Sequence, residues 1–283
     1  MTAAVPAHRV HLPARPAQTA VLVARTLADR WRSLLGWGIG LVGVCAVQLA
    51  VYPSVRSSGQ DMQTFVDQWP EALRGTFGLD AYTTGPGFLN TELFSLMIPF
   101  ILIGVALAAA AAATAGEEEA GTADLLLALP VTRGLVLVAK ALALTGAVVG
   151  LAALGWVTLA VGTPLVDLDV SSSGLAAGTV MTGLLGLLYG TLGLLLGALT
   201  GRRGVTLGIG VALALGAFLL NALAPLAEWL EPWQDASPFA WALGAEPLVN
   251  GIDAPRALLL AGLSLAFAIL AWLVFRRRDI TTR

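Results

Sequence analysis

Six long blocks of apolar residues alternate with polar segments along the chain. They cover Leu34–Tyr52, Leu93–Ala115, Leu135–Val161, Leu175–Leu199, Val205–Ala224 and Ala257–Phe275. A spanning helix needs about 20 apolar residues, since each residue rises ~1.5 Å and the hydrocarbon core is ~30 Å thick. All six blocks reach this length, and none shows the ~10-residue alternation of a barrel strand. The pattern predicts an all-α polytopic membrane protein with six transmembrane helices.

The composition agrees with a chain that faces lipid. Apolar residues make up 57% of the sequence and charged residues only 12%, against about 25% charged in soluble domains. Lys140, near one end of the third block, is the only charged residue inside the six blocks, and we expect it to reach toward the membrane surface. The single cysteine, Cys45, excludes an intramolecular disulfide and a cysteine metal site.

The positions of Lys and Arg predict that both termini are cytoplasmic, because cytoplasmic flanks hold the positive charge. In this orientation, 13 of the 16 basic residues lie on inner segments, and only Arg56, Arg74 and Arg256 lie outside. Most acidic residues fall on the outer segments. The net charge of −2 therefore combines two oppositely charged faces and gives no indication of nucleic-acid binding. Abundant Arg, Ala and Gly suggest a bacterial protein, hence a multi-pass protein of the inner membrane.

The segments outside the blocks have patterns of their own. Residues 1–17 are rich in Pro and Ala and are expected to be mobile, which leaves 18–283 as a single transmembrane domain. Gln18–Ser33 repeats its apolar positions every three or four residues, which predicts an elbow helix on the inner membrane surface or, alternatively, a plain start to the first span. In the first outer loop we expect short helices at 61–69 and 71–77, and residues 225–255 form a partly helical outer region.

A stripe of small residues follows one face of the fourth block. Steps of three and four residues place these positions on one side of a helix. Small residues let a neighbouring backbone approach closely, so the stripe predicts tight packing, with a sliding surface as the alternative. The glycines of the stripe are Gly183, Gly186, Gly190, Gly193 and Gly197.

The segment between the second and third blocks is the most informative for function. Its three acids, Glu117, Glu118 and Glu119, lie beyond the hydrocarbon, since an acid at mid-bilayer costs roughly 3 kcal/mol on insertion scales. Thr122 can cap a short helix that ends before Pro130, and Thr132 can cap the next span. The leucines of the short helix need a partner or the membrane; an acidic loop with a helix lying on lipid is the alternative.

This segment resembles the permease subunit of bacterial type-2 ABC exporters. The match is Glu-x-x-x-Gly-Thr-x-x-x-Leu-Leu-x-x-Pro-Val-x-Arg, and Glu118 and Glu119 fit the acidic cluster that precedes the Gly-Thr pair in that family. The residues that carry the resemblance, or lie within it, are Glu117, Glu118, Glu119, Gly121, Thr122, Leu125, Leu126, Leu127, Pro130, Val131 and Arg133. The elbow helix, the six spans and the helical region before the last span extend the resemblance over nearly the whole chain.

The resemblance implies a transport subunit and its partners. Residues 122–129 would form a cytoplasmic coupling helix that docks on a separate ATPase subunit. Two ATPases and a second permease copy or paralogue would complete the exporter, with ATP and Mg²⁺ bound by the ATPases. On this interpretation the chain binds no cofactor of its own. A phosphate-binding loop needs a lysine between a glycine and a Ser or Thr, but the single lysine, Lys140, stands in Val-Ala-Lys-Ala.

The resemblance also suggests a cargo pathway. Spans one, two and five commonly line it at the interface between permeases, which makes Gln48, Phe94, Phe100, Phe218 and Asn221 candidates. For Gln48 and Asn221, hydrogen bonding within or between helices is the simpler interpretation. An apolar lining predicts an amphipathic or hydrophobic cargo such as a drug, an antibiotic or a lipid, moved outward by alternating access.

Two other classes of membrane protein fit the sequence less well than an exporter. An ion-coupled secondary transporter usually has ionisable groups within its spans, and the blocks contain none at mid-membrane. An intramembrane enzyme needs a catalytic cluster, but both histidines, His8 and His11, lie in the N-terminal segment and no G-x-S-x-G motif is present.

Overall fold

The computed structural model describes residues 15–58, 68, 84–119 and 132–277. The elements in these ranges are all helical. Six helices are long and apolar enough to cross a membrane, which confirms the six predicted spans. Several predicted segments lie outside the described residues. They are residues 1–14 of the N-terminal segment, the short helices at 61–69 and 71–77 (apart from residue 68) and the coupling helix at 122–129.

We number the spans in chain order, and each contains its predicted block except the fifth, whose α-helix ends at Leu223, one residue before the end of the block. Spans 1, 3, 4, 5 and 6 are the helices Trp31–Ser57, Arg133–Leu165, Ser172–Thr200, Arg203–Leu223 and Ala254–Arg277. Span 2 is continuous from Gly85 to Glu119 and consists of Gly85–Leu89, the π-helix Asn90–Met97 and the α-helix Ile98–Glu119.

Span 2 differs most from its predicted bounds. The apolar block begins at Leu93, but Thr84 caps a helix that starts eight residues earlier, its side chain accepting a hydrogen bond from the Gly87 amide (3.2 Å). The π-helix ends two residues before Pro99. A proline lacks the N–H that would bond the carbonyl four residues back, and a locally wider turn accommodates this loss. The longer helix therefore includes Glu92, which lies just before the predicted block.

Span 4 lies at the centre of the bundle. It packs against spans 2, 3, 5 and 6 and against the helices that follow span 5. In its most apolar window 67% of residues are buried, against 22% for spans 1, 5 and 6. Gly201 adopts φ +62° and its amide bonds the Gly197 carbonyl (2.9 Å), so span 4 stops there and the chain turns directly into span 5.

The amphipathic N-terminal helix runs from Arg15 to Asp29 and packs mainly against span 3. It is separate from span 1, since the chain turns at Arg30 before Trp31. The break at Arg30 distinguishes this N-terminal helix from the helix of span 1, and its role as an elbow helix stays a prediction. Its position on the inner membrane surface stays a prediction.

Short helices fill the segment between spans 5 and 6, as expected. They are Ala224–Leu226 and Glu231–Ala236, both 3-10, and the α-helices Pro238–Leu243 and Pro247–Asn250. Ser237 ties this segment to span 5, because its buried hydroxyl donates to the Ala217 carbonyl (2.7 Å) and its oxygen accepts from the Phe239 amide (3.2 Å). Trp229 and Trp233 remain 75% and 63% exposed, as expected for aromatics at a membrane interface.

Candidate functional site

One end of the bundle gathers the termini of several spans together with their basic residues. Lys140 of span 3 donates a hydrogen bond to the carbonyl of Ala113 in span 2. Thr114 of span 2 packs on Gly197, near the end of span 4. The first turn of span 3 touches the last of span 6, where Gly134 lies under Trp272. We call this the basic end.

Lys140 points into the protein at the basic end. Its side chain is only 5% exposed and lies between spans 2 and 3. The expectation that it reaches along lipid toward the membrane surface therefore needs correction, because its ammonium group bonds a backbone carbonyl of the next span. A lysine placed in this way links spans 2 and 3 directly beside the turn that joins them.

A cavity of about 630 Å³ opens beside Lys140. The N-terminal helix and spans 1, 2, 3 and 5 all contribute to its walls. The apolar part of the lining consists of alanines of spans 2 and 3 together with Leu27, Leu34, Trp37, Val105 and Leu144. Its charged residues are Asp29, Arg30, Arg32, Lys140 and Arg203. Charged residues from three predicted inner segments thus lie around one cavity, as the positive-inside distribution requires if this end is cytoplasmic.

The predicted coupling segment leaves and re-enters the bundle at the basic end. The helix of span 2 continues to Glu119, so Glu117, Glu118 and Glu119 extend it by more than a turn beyond Thr114. Thr132 caps span 3 as predicted, its hydroxyl oxygen accepting from the Leu135 amide (3.4 Å). Arg133 is the first residue of that helix. Gly121, Thr122, Leu125, Leu126 and Pro130 lie outside the described residues.

The glycine stripe of span 4 packs as predicted against small residues of another span. A β-carbon at Gly190 would lie 2.9 Å from the Ala106 Cβ, and one at Gly193 would lie 2.9 Å from the Ala110 Cβ. Gly186 and Gly197 meet Leu102 and Thr114 in the same way, so spans 2 and 4 interlock at four-residue steps on span 2. Gly183 faces Ala152 of span 3 instead, at 3.7 Å.

The five predicted pathway residues do not form one site within the protomer. Phe100 and Phe218 meet edge to face, with ring centroids 5.4 Å apart, and both pack on Phe239. Phe94 is fully buried near Gly178 and Leu248.

Asn221 and Gln48 each take part in hydrogen bonds with other segments. The Asn221 carbonyl accepts a bond from Gln234 (3.4 Å). Gln48 makes the interhelical hydrogen bond that was the simpler interpretation of its position: its amide donates to the Glu92 carboxylate of span 2 (2.8 Å).

Glu92 is the residue that the sequence interpretation missed. The predicted block begins at Leu93, because the residues before it are polar, and so does not include Glu92. Gln48, a polar residue in the opposing span, was the one available signal that a polar partner lies within reach. Glu92 lies near the start of the span 2 helix, so the expectation that the spans hold no ionisable group at mid-membrane stays a prediction.

The six apolar helices, with the glycine-lined span 4 at their centre, define a multi-pass membrane protein. The family model described as ABC-2 family transporter protein matches residues 20–280. The chain belongs to that family, which confirms the resemblance found in its sequence. No curated protein matches the chain. Membership makes this protein a transport subunit that works with ATPase partners.

Proposed function

We propose that this permease is one half of an exporter that moves an amphipathic or hydrophobic cargo out of the bacterial cytoplasm. The observation that carries the proposal is the construction of the basic end. The turn between spans 2 and 3 starts and ends there, beside the Lys140 contact that links the same two spans. A force applied to this turn would act on span 2, and through the interlocked glycine stripe on span 4.

The basic end is cytoplasmic in this proposal, with both termini inside and the N-terminal helix on the inner membrane surface. Residues 122–129 form a coupling helix that inserts its leucines into a groove of the ATPase. Glu117, Glu118 and Glu119 contact the ATPase from one side and Arg133 from the other. ATP and Mg²⁺ bind only to the ATPase, and its closure drives the switch from inward to outward access.

A second permease, either another copy or a paralogue, pairs with this one through spans 1 and 5. Gly204, Gly208 and Gly216 of span 5 are exposed, and a β-carbon at any of them would meet nothing within 4 Å. On span 1 the same is true of the exposed Gly36, Gly40 and Gly43. Small residues at four-residue spacing allow helices to approach closely in a membrane. The buried stripe of span 4 is used within the protomer, which leaves these two faces for a partner.

Cargo passes between the two permeases. Four of the predicted pathway residues flank the faces assigned to the partner: Gln48 on span 1, Phe100 on span 2, and Phe218 and Asn221 on span 5. Phe94 would reach the pathway only if span 2 moves away from Gly178, since the structure buries its ring completely.

Purification of the tagged chain in several mild detergents tests the proposal. An ATPase should co-purify in a ratio of one per permease, and amphipathic compounds should stimulate its activity in proteoliposomes. Failure to recover an ATPase in any of these detergents would contradict the proposal, as would identification of a small hydrophilic ion as the cargo.

A further inference from the structure

A groove of about 330 Å³ runs between spans 3 and 4 on the flank of the bundle. Its walls come from residues 148–156 of span 3 and 176–187 of span 4. Two of the lining residues, Val149 and Val180, are 55% and 44% exposed. The groove is therefore open to the medium that surrounds the bundle.

The place of the groove along the two spans decides what that medium is. Span 3 has 33 residues, so it is ~50 Å long, whereas the hydrocarbon core is ~30 Å thick. Its groove residues, 148–156, lie at the middle of this helix. On span 4 the groove begins at Ala176, four residues after Ser172, and ends at Leu187, the middle of that helix. The groove thus extends ~16 Å from mid-bilayer toward the end opposite the basic end, about the depth of one leaflet's acyl chains.

Trp156 lines the groove and carries a hydrogen-bond donor without a partner. Its Nε1 atom is buried, and the residues that the structure describes offer it no acceptor. A buried donor left unpaired costs about 1–3 kcal/mol, and the hydrocarbon has no water to satisfy it. Thr179 is the other polar side chain of the lining, and its hydroxyl donates to the Leu175 carbonyl (2.8 Å). The acceptor for the indole must therefore come with the molecule that fills the groove.

We propose that the groove binds one acyl chain of a glycerolipid and that the ester carbonyl of this lipid accepts the hydrogen bond of Trp156. Trp156 and Ala176 lie at the end of the groove nearer the membrane surface, where a lipid has its ester groups. A turn of the indole aims its N–H at the carbonyl. The acyl chain then runs past Ala152 and Gly183 toward mid-bilayer, along a lining that is apolar apart from the two side chains named above.

This occupant fits better than a protein helix, because neither span carries a face that we assign to the permease partner. The inference goes beyond the proposed function and needs neither the cargo nor the ATPase. It makes the groove a site for a structural lipid that selects its ligand by one hydrogen bond.

The test compares two phosphatidylglycerols with identical hydrocarbon chains, one with ester links and one with ether links, which lack the carbonyls. Each is titrated into the full-length protein in mild detergent, and native mass spectrometry measures the fraction of protein that retains lipid. Wild type should bind the ester lipid about fivefold more tightly, the effect of one neutral hydrogen bond of about 1 kcal/mol. Trp156→Phe keeps an aromatic ring without the donor and should abolish this preference. Trp229→Phe, at a 75% exposed position after span 5, should keep it.

A second variant tests the groove itself. Ala153 is exposed and lines the groove, so Ala153→Phe should fill it and reduce retention of both lipids. Equal retention of the ester and ether lipids by wild type would overturn the inference, as would an undiminished preference in Trp156→Phe. Unchanged retention in Ala153→Phe would place the bound lipid elsewhere, and separation of paired permeases in that variant would assign the groove to a second copy; either result also overturns it. None of these results bears on the cargo or the ATPase partner.

Discussion

Gly197 of span 4 lies so close to Thr114 of span 2 that a β-carbon at Gly197 would stand 2.9 Å from the Thr114 Cβ. Thr114 itself is buried and donates its hydroxyl to the Ala110 carbonyl one turn earlier (2.9 Å). Neither backbone can move away without breaking the contacts that continue along both helices. This contact lies one residue from Ala113, the acceptor of the Lys140 hydrogen bond, so the tightest part of the bundle adjoins the turn between spans 2 and 3.

Replacing Gly197 with alanine should destabilise the protomer by about 1–3 kcal/mol, the usual cost of overpacking a tight contact. The measurement is the midpoint of thermal unfolding in detergent. Gly262→Ala is the matched control, because Gly262 is exposed on span 6 and nothing lies within 4 Å of its β-carbon position. That variant should be neutral or slightly stabilising, since alanine favours a helix over glycine by up to about 1 kcal/mol. Equal midpoints for the two variants would contradict the packing described for span 4.

Lys140 should react slowly with amine reagents in the native protein. It is the only lysine in the chain, and its ammonium group is buried against the Ala113 carbonyl. Mass spectrometry after treatment with a membrane-permeant ester should find it modified only after unfolding in SDS. Arg32→Lys provides an exposed lysine at the same end of the bundle, and this second lysine should react readily. Rapid native modification of Lys140 would show that the contact between spans 2 and 3 opens.

The number of spans could be predicted from the sequence because each span needs only a long apolar block. The glycine stripe on span 4 could also be predicted, because helical spacing is visible in the order of residues. The sequence could not show which of several small-residue stripes is buried. The glycines of spans 4 and 5 have similar spacing, yet Gly190 meets Ala106 and Leu144 while Gly208 meets nothing within 4 Å.

Polar residues near a span end were the other limit of the sequence. Average hydropathy ends a span where polar residues begin, so it excluded Glu92, and a π-helix has no distinctive composition. The family-specific turn could be found because its motif depends on residue identity. Its contacts with the ATPase involve a second protein and so remain predictions.

Cysteine labelling in intact cells should establish the orientation. Arg202 lies in the turn between spans 4 and 5 and Asn250 lies between spans 5 and 6, and both are exposed. An impermeant maleimide should modify Asn250→Cys and leave Arg202→Cys unmodified until the membrane is permeabilised. The native Cys45 is fully buried and provides an unreactive background. The opposite labelling pattern would place the basic end outside and rule out docking of a cytoplasmic ATPase there.

Replacing Leu126 and Leu127 with aspartate should uncouple transport while leaving membrane insertion intact. Charged side chains cannot enter an apolar groove of the ATPase without a large desolvation cost. Co-purification of the ATPase should fall, and cargo should no longer stimulate ATP hydrolysis. Arg202→Asp is the control, since it places an acid in a different turn at the basic end. Unchanged ATPase association in the leucine variant would contradict the coupling-helix assignment.

Pairing of the two permeases should depend on the exposed glycines of span 5. Tryptophan at Gly208 has room within the protomer, because nothing lies within 4 Å of its β-carbon position, so the fold should persist. The indole would hold a partner helix away from a face made of small residues, and close approach is what stabilises such contacts in lipid. Mass measurement of the complex should therefore show fewer paired permeases for Gly208→Trp than for Gly262→Trp on span 6. If Gly262→Trp is the variant that separates the permeases, the interface lies on span 6 and the pathway residues assigned to spans 1 and 5 face lipid instead.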